Sequence, residues 1–335
     1  MKRIFLVTLA ILMVVALILG GCGKPALVKP IEMKLSTHNP PGMYRVLVYE
    51  QWAKEIETRT GGRVKITIYP AATLGPPTET WNMVKGGVCE IGWIIPSFYP
   101  GAFPLTDIVD LPYLTSGIEL SDVDALFDKY YYDQMAEAKV LWADRMPPQE
   151  LHTAKKPVRT MEDMKGLQIR SAPGPFPAMT KLLGGTPVTL PPGEVYSAIE
   201  RGMIDGTLCP FSVIMSQKLW DVIGYHTVSE ITGGVSATVM NLEVWNSLPP
   251  DIQKIFEELS PWAVKLTDEG QIKDTEECFA KAKEVGNEII YLTPEERARW
   301  VEVTKPVIDE WAAKMDAKGL PGTEIINFAR QLMAD

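Results

Sequence analysis

Two periods of apolar residues divide the chain. Val64-Lys65-Ile66-Thr67-Ile68-Tyr69 alternates apolar with polar, the period of a half-buried strand. Just before it, Val46, Tyr49, Trp52, Ala53 and Ile56 recur at helical spacing. This predicts a helix over 43–60, ended by Gly61-Gly62. Residues 33–36 predict the first strand and 90–96 a further one. A helix is expected over 121–139, with a strand at 140–142 after it. The alternation returns in Leu167, Ile169 and Ser171 against Gln168, Arg170 and Ala172. Residues 233–240 predict another strand. Ser247-Leu248-Pro249-Pro250-Asp251 opens a long helix, expected to break or kink near Pro261. A last strand is expected at 289–292. Thr293-Pro294-Glu295-Glu296 then reads as a capping box ahead of amphipathic helices. Strands interleaved with helices imply an α/β fold.

One pattern occurs twice. Thr73-Leu74, Pro76-Pro77, Glu79, Trp81, Val84, Gly87 and Glu90 are matched by Thr189-Leu190, Pro191-Pro192, Glu194, Tyr196, Ile199, Gly202 and Asp205. Each copy reads as a strand exit, a helix opened by proline, a glycine stop and an acid before the next strand. Two ordinary βα units coinciding would look the same. The fuller reading is two lobes of similar build whose helix starts face one cleft. Met146-Pro147-Pro148 predicts a crossover between lobes, and 233–240 a return. The expected division is lobe I over 31–146 with about 232–262, and lobe II over 147–231 with about 263–335.

The stretch from Thr160 to Phe211 carries the candidate chemistry. Thr160 with Asp163 marks a helix start, and Gly166 can end that short helix in the left-handed region. Arg170 then falls near the C-terminal end of a strand, facing opposite to Leu167 and Ile169. Ligands of open α/β sheets bind beyond the carboxyl ends of strands. A guanidinium there offers a planar fork that fits a carboxylate. A surface ion pair is the other reading of such an arginine.

Composition narrows the setting. The chain has 335 residues, 46% hydrophobic and 22% charged, which suits two globular lobes. Lys2 and Arg3 precede an apolar run over 4–19, followed by Leu19-Gly20-Gly21-Cys22. This reads as an export signal over 1–21 with lipidation at Cys22, then a tether over 22–30. An uncut membrane anchor is the alternative, although the run is short for a span. Loss of Lys2 and Arg3 would take the net charge from −9 to −11. An acidic chain without basic clusters excludes nucleic acid as a partner. Cys89, Cys209 and Cys278 have no CxxC spacing, and no obligatory disulfide is expected. His38, His152 and His226 lack metal-ligand spacing, so no metal site is expected. There is no nucleophile elbow, phosphate loop or dinucleotide fingerprint, so neither catalysis nor a cofactor is expected. Glu79 and Glu194 read as first-turn helix acids rather than a catalytic pair. His38, in the loop after the first strand, is a candidate to line the cleft.

Several short motifs together resemble the substrate-binding proteins of TRAP (tripartite ATP-independent periplasmic) transporters, DctP type. They are Trp52-Ala53-Lys54-Glu55-Ile56, Thr60-Gly61-Gly62-Arg63-Val64, Tyr69-Pro70 with Leu74-Gly75, and Lys156-Pro157-Val158. Met164-Lys165-Gly166-Leu167-Gln168-Ile169-Arg170, Gly185-Thr186-Pro187, Glu194-Val195-Tyr196 and Asp205-Gly206 complete the set. The resemblance covers the mature chain. It implies a type II periplasmic-binding-protein-like clamp with hinge crossovers and long C-terminal helices, closing on an organic acid outside the inner membrane. It implies delivery to a TRAP permease, with Arg170 as the carboxylate-binding arginine. A clamp feeding a membrane sensor kinase, or an exported enzyme on the same scaffold, are the rival readings. The sequence also departs from the family. Glu150 stands where dicarboxylate and sialic acid binders commonly carry a second arginine, Cys209 where asparagine is common, and Pro192 in place of an aromatic a little before Glu194-Val195. With Trp93, Tyr99 and Phe211 as further expected ligand contacts beside Phe98, this points to a monocarboxylate with an apolar or aromatic body.

Overall fold

The structure is a computed structural model describing residues 29–99, 101–115, 125–231 and 233–332. The signal, Cys22 and most of the tether lie outside the described residues. The described strands form two mixed sheets. The first holds β1 (Ile31–Ser36), β2 (Val64–Tyr69), β3 (Ile91–Ile94), β4 (Ala138–Arg145) and β10 (Val235–Asn241), in the order β2-β1-β3-β10-β4. In it β1 runs parallel to β2 and β3, while β10 is antiparallel to β3 and β4. The second holds β5 (Gln149–Thr153), β6 (Gln168–Arg170), β7 (Thr186–Val188), β8 (Gly206–Cys209), β9 (Tyr225–Ile231) and β11 (Glu288–Tyr291), in the order β11-β9-β5-β8-β6-β7. The helices are α1 (Tyr44–Arg59), α2 (Thr80–Lys85), α3 (Phe176–Leu182), α4 (Val195–Glu200), α5 (Phe211–Ser216), α6 (Leu242–Ser247), α7 (Pro250–Val285), α8 (Pro294–Asp316) and α9 (Gly322–Leu332).

Each sheet is the middle of three layers, because alternating side chains give it two apolar faces to cover. Met33, Leu35 and Met240 of the first sheet pack on Trp52 and Ile56 of α1 and on Phe256 and Leu259 of α7. Its other face, with Ile94, Ala237 and Val239, packs on Trp81 and Val84 of α2. Leu151, Ile169 and Leu208 of the second sheet pack on Trp300 and Ile308 of α8 and Ile325 of α9. Ile108, Leu111, Phe127 and Tyr131, from a stretch expected in the first lobe, join that same cluster. Val195, Ile199, Ile214 and Cys278 cover the opposite side with Cys209.

The chain passes between the sheets from β4 to β5 through Met146-Pro147-Pro148, where the prolines predict a crossover. It returns from β9 to β10. Helix α7 touches both halves, packing on α1 and on α5. At the crossing Met146 N donates to Gly234 O at 3.0 Å. A Cβ on Gly233 would lie 2.1 Å from Met146 O and 2.4 Å from Pro147 O. Only a residue without a side chain lets the two connections run that close.

The repeated pattern folds as a repeated unit. Pro77 and Pro192 each start a 3-10 turn that leads into α2 and α4. Gly87 and Gly202 both take the left-handed conformation, at φ 71° and 68°. The closing acids do the same job: Glu90 accepts from Lys34 N at 2.7 Å, and Asp205 from Gln168 N at 2.8 Å. Each thereby ties its unit to the neighbouring strand.

Three elements differ from expectation. The helix expected over 121–139 ends at Met135 in its described part, after a π-turn over Phe127–Tyr131. Ala138 and Lys139 already pair with Asn241 and Met240. No Gly or Pro marks that boundary, so strand pairing alone sets it. Helix α7 runs through Pro261 without a break. Buried Phe256, Leu259, Ala263 and Thr267 hold it against α1 and β4, offsetting the roughly 3 kcal/mol that an interior proline costs. At α8, Thr293 accepts from Glu296 N, but Glu296 Oε1 turns to Met161 N at 2.7 Å and Trp300 Nε1 at 3.1 Å. Only half of the expected capping box forms, because Glu296 is the tie to the segment before β6. The reciprocal contact instead appears at Thr160, whose N donates to Asp163 Oδ2 at 3.1 Å.

Candidate ligand-binding cleft

A cavity of about 680 Å³ lies where the two sheets meet, within the range of roughly 300–1,000 Å³ typical of small-molecule sites. Both copies of the repeat reach it, through Pro76-Pro77 and Pro191-Pro192. The first lobe adds His38, Trp93 and Phe98, and the second adds Arg170, Phe176 and Cys209.

Arg170 is the last residue of β6, paired with Thr207 of β8 and Val188 of β7. The alternation that buries Ile169 in the core turns Arg170 the other way, to the cleft. The side chain is nonetheless only 6% exposed. Its Nε donates to Leu190 O at 3.2 Å. Among the described residues its two terminal nitrogens have no hydrogen-bond partner, and no acid forms an ion pair with it. Burial pulls its pKa below the ordinary arginine value, with only the nearby Cys209 acting the other way. An arginine stays charged in a protein. The cleft therefore holds a desolvated positive fork without a counter-ion.

The other buried arginine is in the opposite condition. Arg45, in the first turn of α1, meets Asp144 of β4 through Nη1–Oδ1 at 3.1 Å and Nη2–Oδ2 at 2.7 Å. Ser236 Oγ adds a third bond to Asp144, at 3.0 Å. Both partners are buried, with 2% and 0% of their side chains exposed. The Arg45 guanidinium also lies 4.7 Å from the centre of the Trp93 ring. It forms part of the cleft wall, but its charge is already neutralised.

His38 packs against Trp93 at 4.7 Å between ring centres and against Phe98 at 5.8 Å. Burial, followed by the charge of Arg45, lowers its pKa to about 4. Its imidazole is neutral at pH 7 and adds an aromatic face rather than a second cation. Cys209, at the end of β8, lines the cavity with a thiol that burial pushes up to about 12. It is an unreactive thiol. Cys89, Cys209 and Cys278 are all free and buried.

Of the six expected contacts, Arg170, His38, Trp93 and Cys209 line the cavity, and Tyr99 and Phe211 do not. The Tyr99 hydroxyl donates to Pro77 O at 2.6 Å and accepts from Trp81 N at 3.2 Å. Tyr99 thus ties down the start of α2, while its neighbour Phe98 faces the cleft. Phe211 turns inward against Phe279 at 4.6 Å and His152 at 5.0 Å, leaving Ser212 and Val213 at the cavity. Glu150 is buried and accepts from Ser229 N and Glu230 N at 2.5 and 2.9 Å. It does not line the cavity. Arg45, Asp110, Gln149 and Tyr44 line it and carry no sequence signal.

Beneath Cys209 lies a buried histidine pair. His152 Nδ1 and His226 Nδ1 are 2.8 Å apart, and His152 Nε2 lies 3.0 Å from Cys209 O. Burial lowers both pKa values, that of His226 to about 4. A depressed folded-state value means that the neutral pair contributes stability above pH 6.5, the ordinary value. That contribution is lost as pH falls towards 4, because the unfolded chain takes up protons first. The expected loss is about 2 kcal/mol for His226 alone by pH 5. Urea unfolding of His226→Asn and wild type at pH 7 and pH 5 checks this. The variant should lose less stability on acidification than wild type, and equal losses would contradict it.

The fold and the cleft define a two-lobe solute-binding clamp. The chain belongs to the DctP family, bacterial extracellular solute-binding protein family 7, whose family model matches residues 35–315. It is a DctP-type solute receptor of TRAP transport, a class that binds small ligands and works with membrane permease subunits. The C4-dicarboxylate-binding periplasmic protein DctP of Rhodobacter capsulatus is 27% identical over 309 residues, covering 88% of this chain and 90% of that protein. A TRAP solute-binding protein of Rhodoferax ferrireducens, solved with copurified benzoate, has a TM-score of 0.84 at 25% identity, covering 91% of this chain and 98% of that one. A marine metagenome TRAP solute-binding protein specific for aromatic acid ligands, solved with metahydroxyphenylacetate, has a TM-score of 0.85 at 23% identity, with the same coverage. Among the described residues no helix is long and apolar enough to cross a membrane, and no cluster of three or more His, Cys, Asp or Glu could hold a metal.

Proposed function

We propose that this receptor binds an organic monocarboxylate with an apolar or aromatic body, anchored by its carboxylate on Arg170, and hands it to a TRAP permease. The observation that carries this reading is the buried, unpaired guanidinium of Arg170 in a cleft walled by His38, Trp93, Phe98 and Phe176. A buried charge is costly unless paired, and a bidentate carboxylate is the partner that fits a guanidinium fork. One carboxylate suffices, since Arg45 is satisfied by Asp144 and His38 is neutral. The benzoate found in the Rhodoferax protein is a ligand of this kind. The dicarboxylate named for the Rhodobacter relative is the competing class. Thermal shift and native mass spectrometry against a panel of acids decide between them. Benzoate-like or branched monocarboxylates should stabilise the protein more than succinate or malate. Stabilisation by succinate or malate alone would overturn the assignment.

The leader Leu19-Gly20-Gly21-Cys22 supports export and lipid anchoring to the membrane on its periplasmic or extracytoplasmic face. In a bacterial host, the wild type should incorporate labelled palmitate and Cys22→Ala should not. Equal labelling of the two, or no label in the wild type, would contradict lipidation at Cys22.

A further inference from the structure

Three acids are buried in or near the cleft, and among the described residues only one receives neither an N–H bond nor a cation. Asp144 receives two bonds from Arg45 and one from Ser236. Glu150 receives two backbone N–H bonds and the Ser229 hydroxyl. Asp110 ends the 3-10 turn Thr106–Asp110, is 6% exposed and lines the cavity. Among the described residues no cation pairs with it and no N–H donates to it; the Ser97 hydroxyl is its hydrogen-bonding neighbour. Gly234, at φ 78°, leaves room for it: a Cβ there would lie 2.1 Å from Asp110 Oδ1.

We propose that Asp110 is the second pole of the cleft and accepts a hydrogen bond from a hydroxyl or ammonium group on the ligand whose carboxylate is held by Arg170. The proposal rests on the carboxylate-binding role given to Arg170 and names what the rest of the ligand must carry. Arg170 belongs to the second sheet, whereas Asp110 packs against Gly234, beside the crossing between the lobes. The two do not form an ion pair, so each keeps its bonding capacity for a guest. Burial, with Asp107 adding its charge, raises the Asp110 carboxyl to about 7. A donor on the ligand favours the ionised form and removes the cost of leaving it unpaired. A second ligand carboxylate would face Asp110 and be repelled. The ligand class is therefore a hydroxy acid or an amino acid with an apolar or aromatic body, and dicarboxylates are disfavoured.

The test is calorimetry with matched pairs of acids that differ only in one donor, such as benzoate and its ring-hydroxylated forms, and aliphatic acids with and without a hydroxyl or ammonium. At least one donor-bearing acid should bind wild type about 10- to 100-fold more tightly than its parent, the range of a hydrogen bond to a charged group. Asp110→Asn, which keeps the shape against Gly234, should remove most of that advantage, so that the two acids of a pair bind the variant within about threefold of each other. No donor preference in wild type, or a preference that survives Asp110→Asn, overturns the assignment. The wild-type comparison stands even if the variant fails to fold. If no acid in the panel binds, or binding survives Arg170→Gln, the carboxylate reading itself fails and takes this inference with it. Parent acids that bind through Arg170 without a donor advantage refute Asp110 alone.

Discussion

Arg170→Ala should weaken binding of the carboxylate ligand by about 30- to several-thousand-fold. The range follows from the roughly 2–5 kcal/mol lost when one partner of a buried, hydrogen-bonded charge pair is removed, at 1.4 kcal/mol per decade. The geometry argues for the upper part of the range. Arg170 is 6% exposed, and among the described residues its only hydrogen bond is from Nε to Leu190 O. Its two terminal nitrogens have no partner among the described residues and line the cavity, free to bind a ligand carboxylate. Arg170→Lys should recover only part of the loss, because an ammonium cannot make two parallel bonds in a fixed plane. Stability should change in the opposite sense. The ligand-free variant no longer buries an unpaired cation, so its unfolding midpoint should match or exceed that of the ligand-free wild type. A merely structural arginine would show the reverse, with stability lost and affinity retained.

Asp144→Ala should be the most damaging single change to folding. It strands the Arg45 side chain, 2% exposed, which pairs with no other acid among the described residues. Breaking a buried pair by removing one partner costs about 3–5 kcal/mol. The loss reaches the cleft, because Arg45 lies against the Trp93 ring that also supports His38. Replacing both partners with apolar residues of similar volume should cost much less, since neither charge is then left buried. Denaturant unfolding of the single and double variants checks this. A double variant as unstable as Asp144→Ala would mean that packing, rather than the unpaired charge, sets the loss.

The parts of the cleft legible in the sequence are those fixed by period. Arg170 follows from strand alternation after Gly166, whereas Cys209 enters only through the family resemblance, where it replaces a common asparagine. The two repeat units follow from matched prolines, glycines and acids. Tyr99 and Phe211 fail for a related reason: a one-residue step decides which face a side chain takes. In both places a short helical turn after a strand, at Pro96–Phe98 and at Phe211–Ser216, decides that step. The Arg45–Asp144 pair joins residues 99 positions apart, and nothing local marks either as a partner. Asp110 sits in a 3-10 turn too short to show a period. The end of the helix before β4 carries no Gly or Pro, and its pairing with β10 is a long-range choice that propensity does not see.

The most direct test is a crystal structure of the receptor with its bound acid, obtained from gently purified protein or by soaking. The account predicts both carboxylate oxygens about 2.7–2.9 Å from the terminal nitrogens of Arg170, in the parallel geometry of a guanidinium–carboxylate pair. A ligand seated between the lobes with its carboxylate elsewhere, and the Arg170 nitrogens still unpaired, would contradict it.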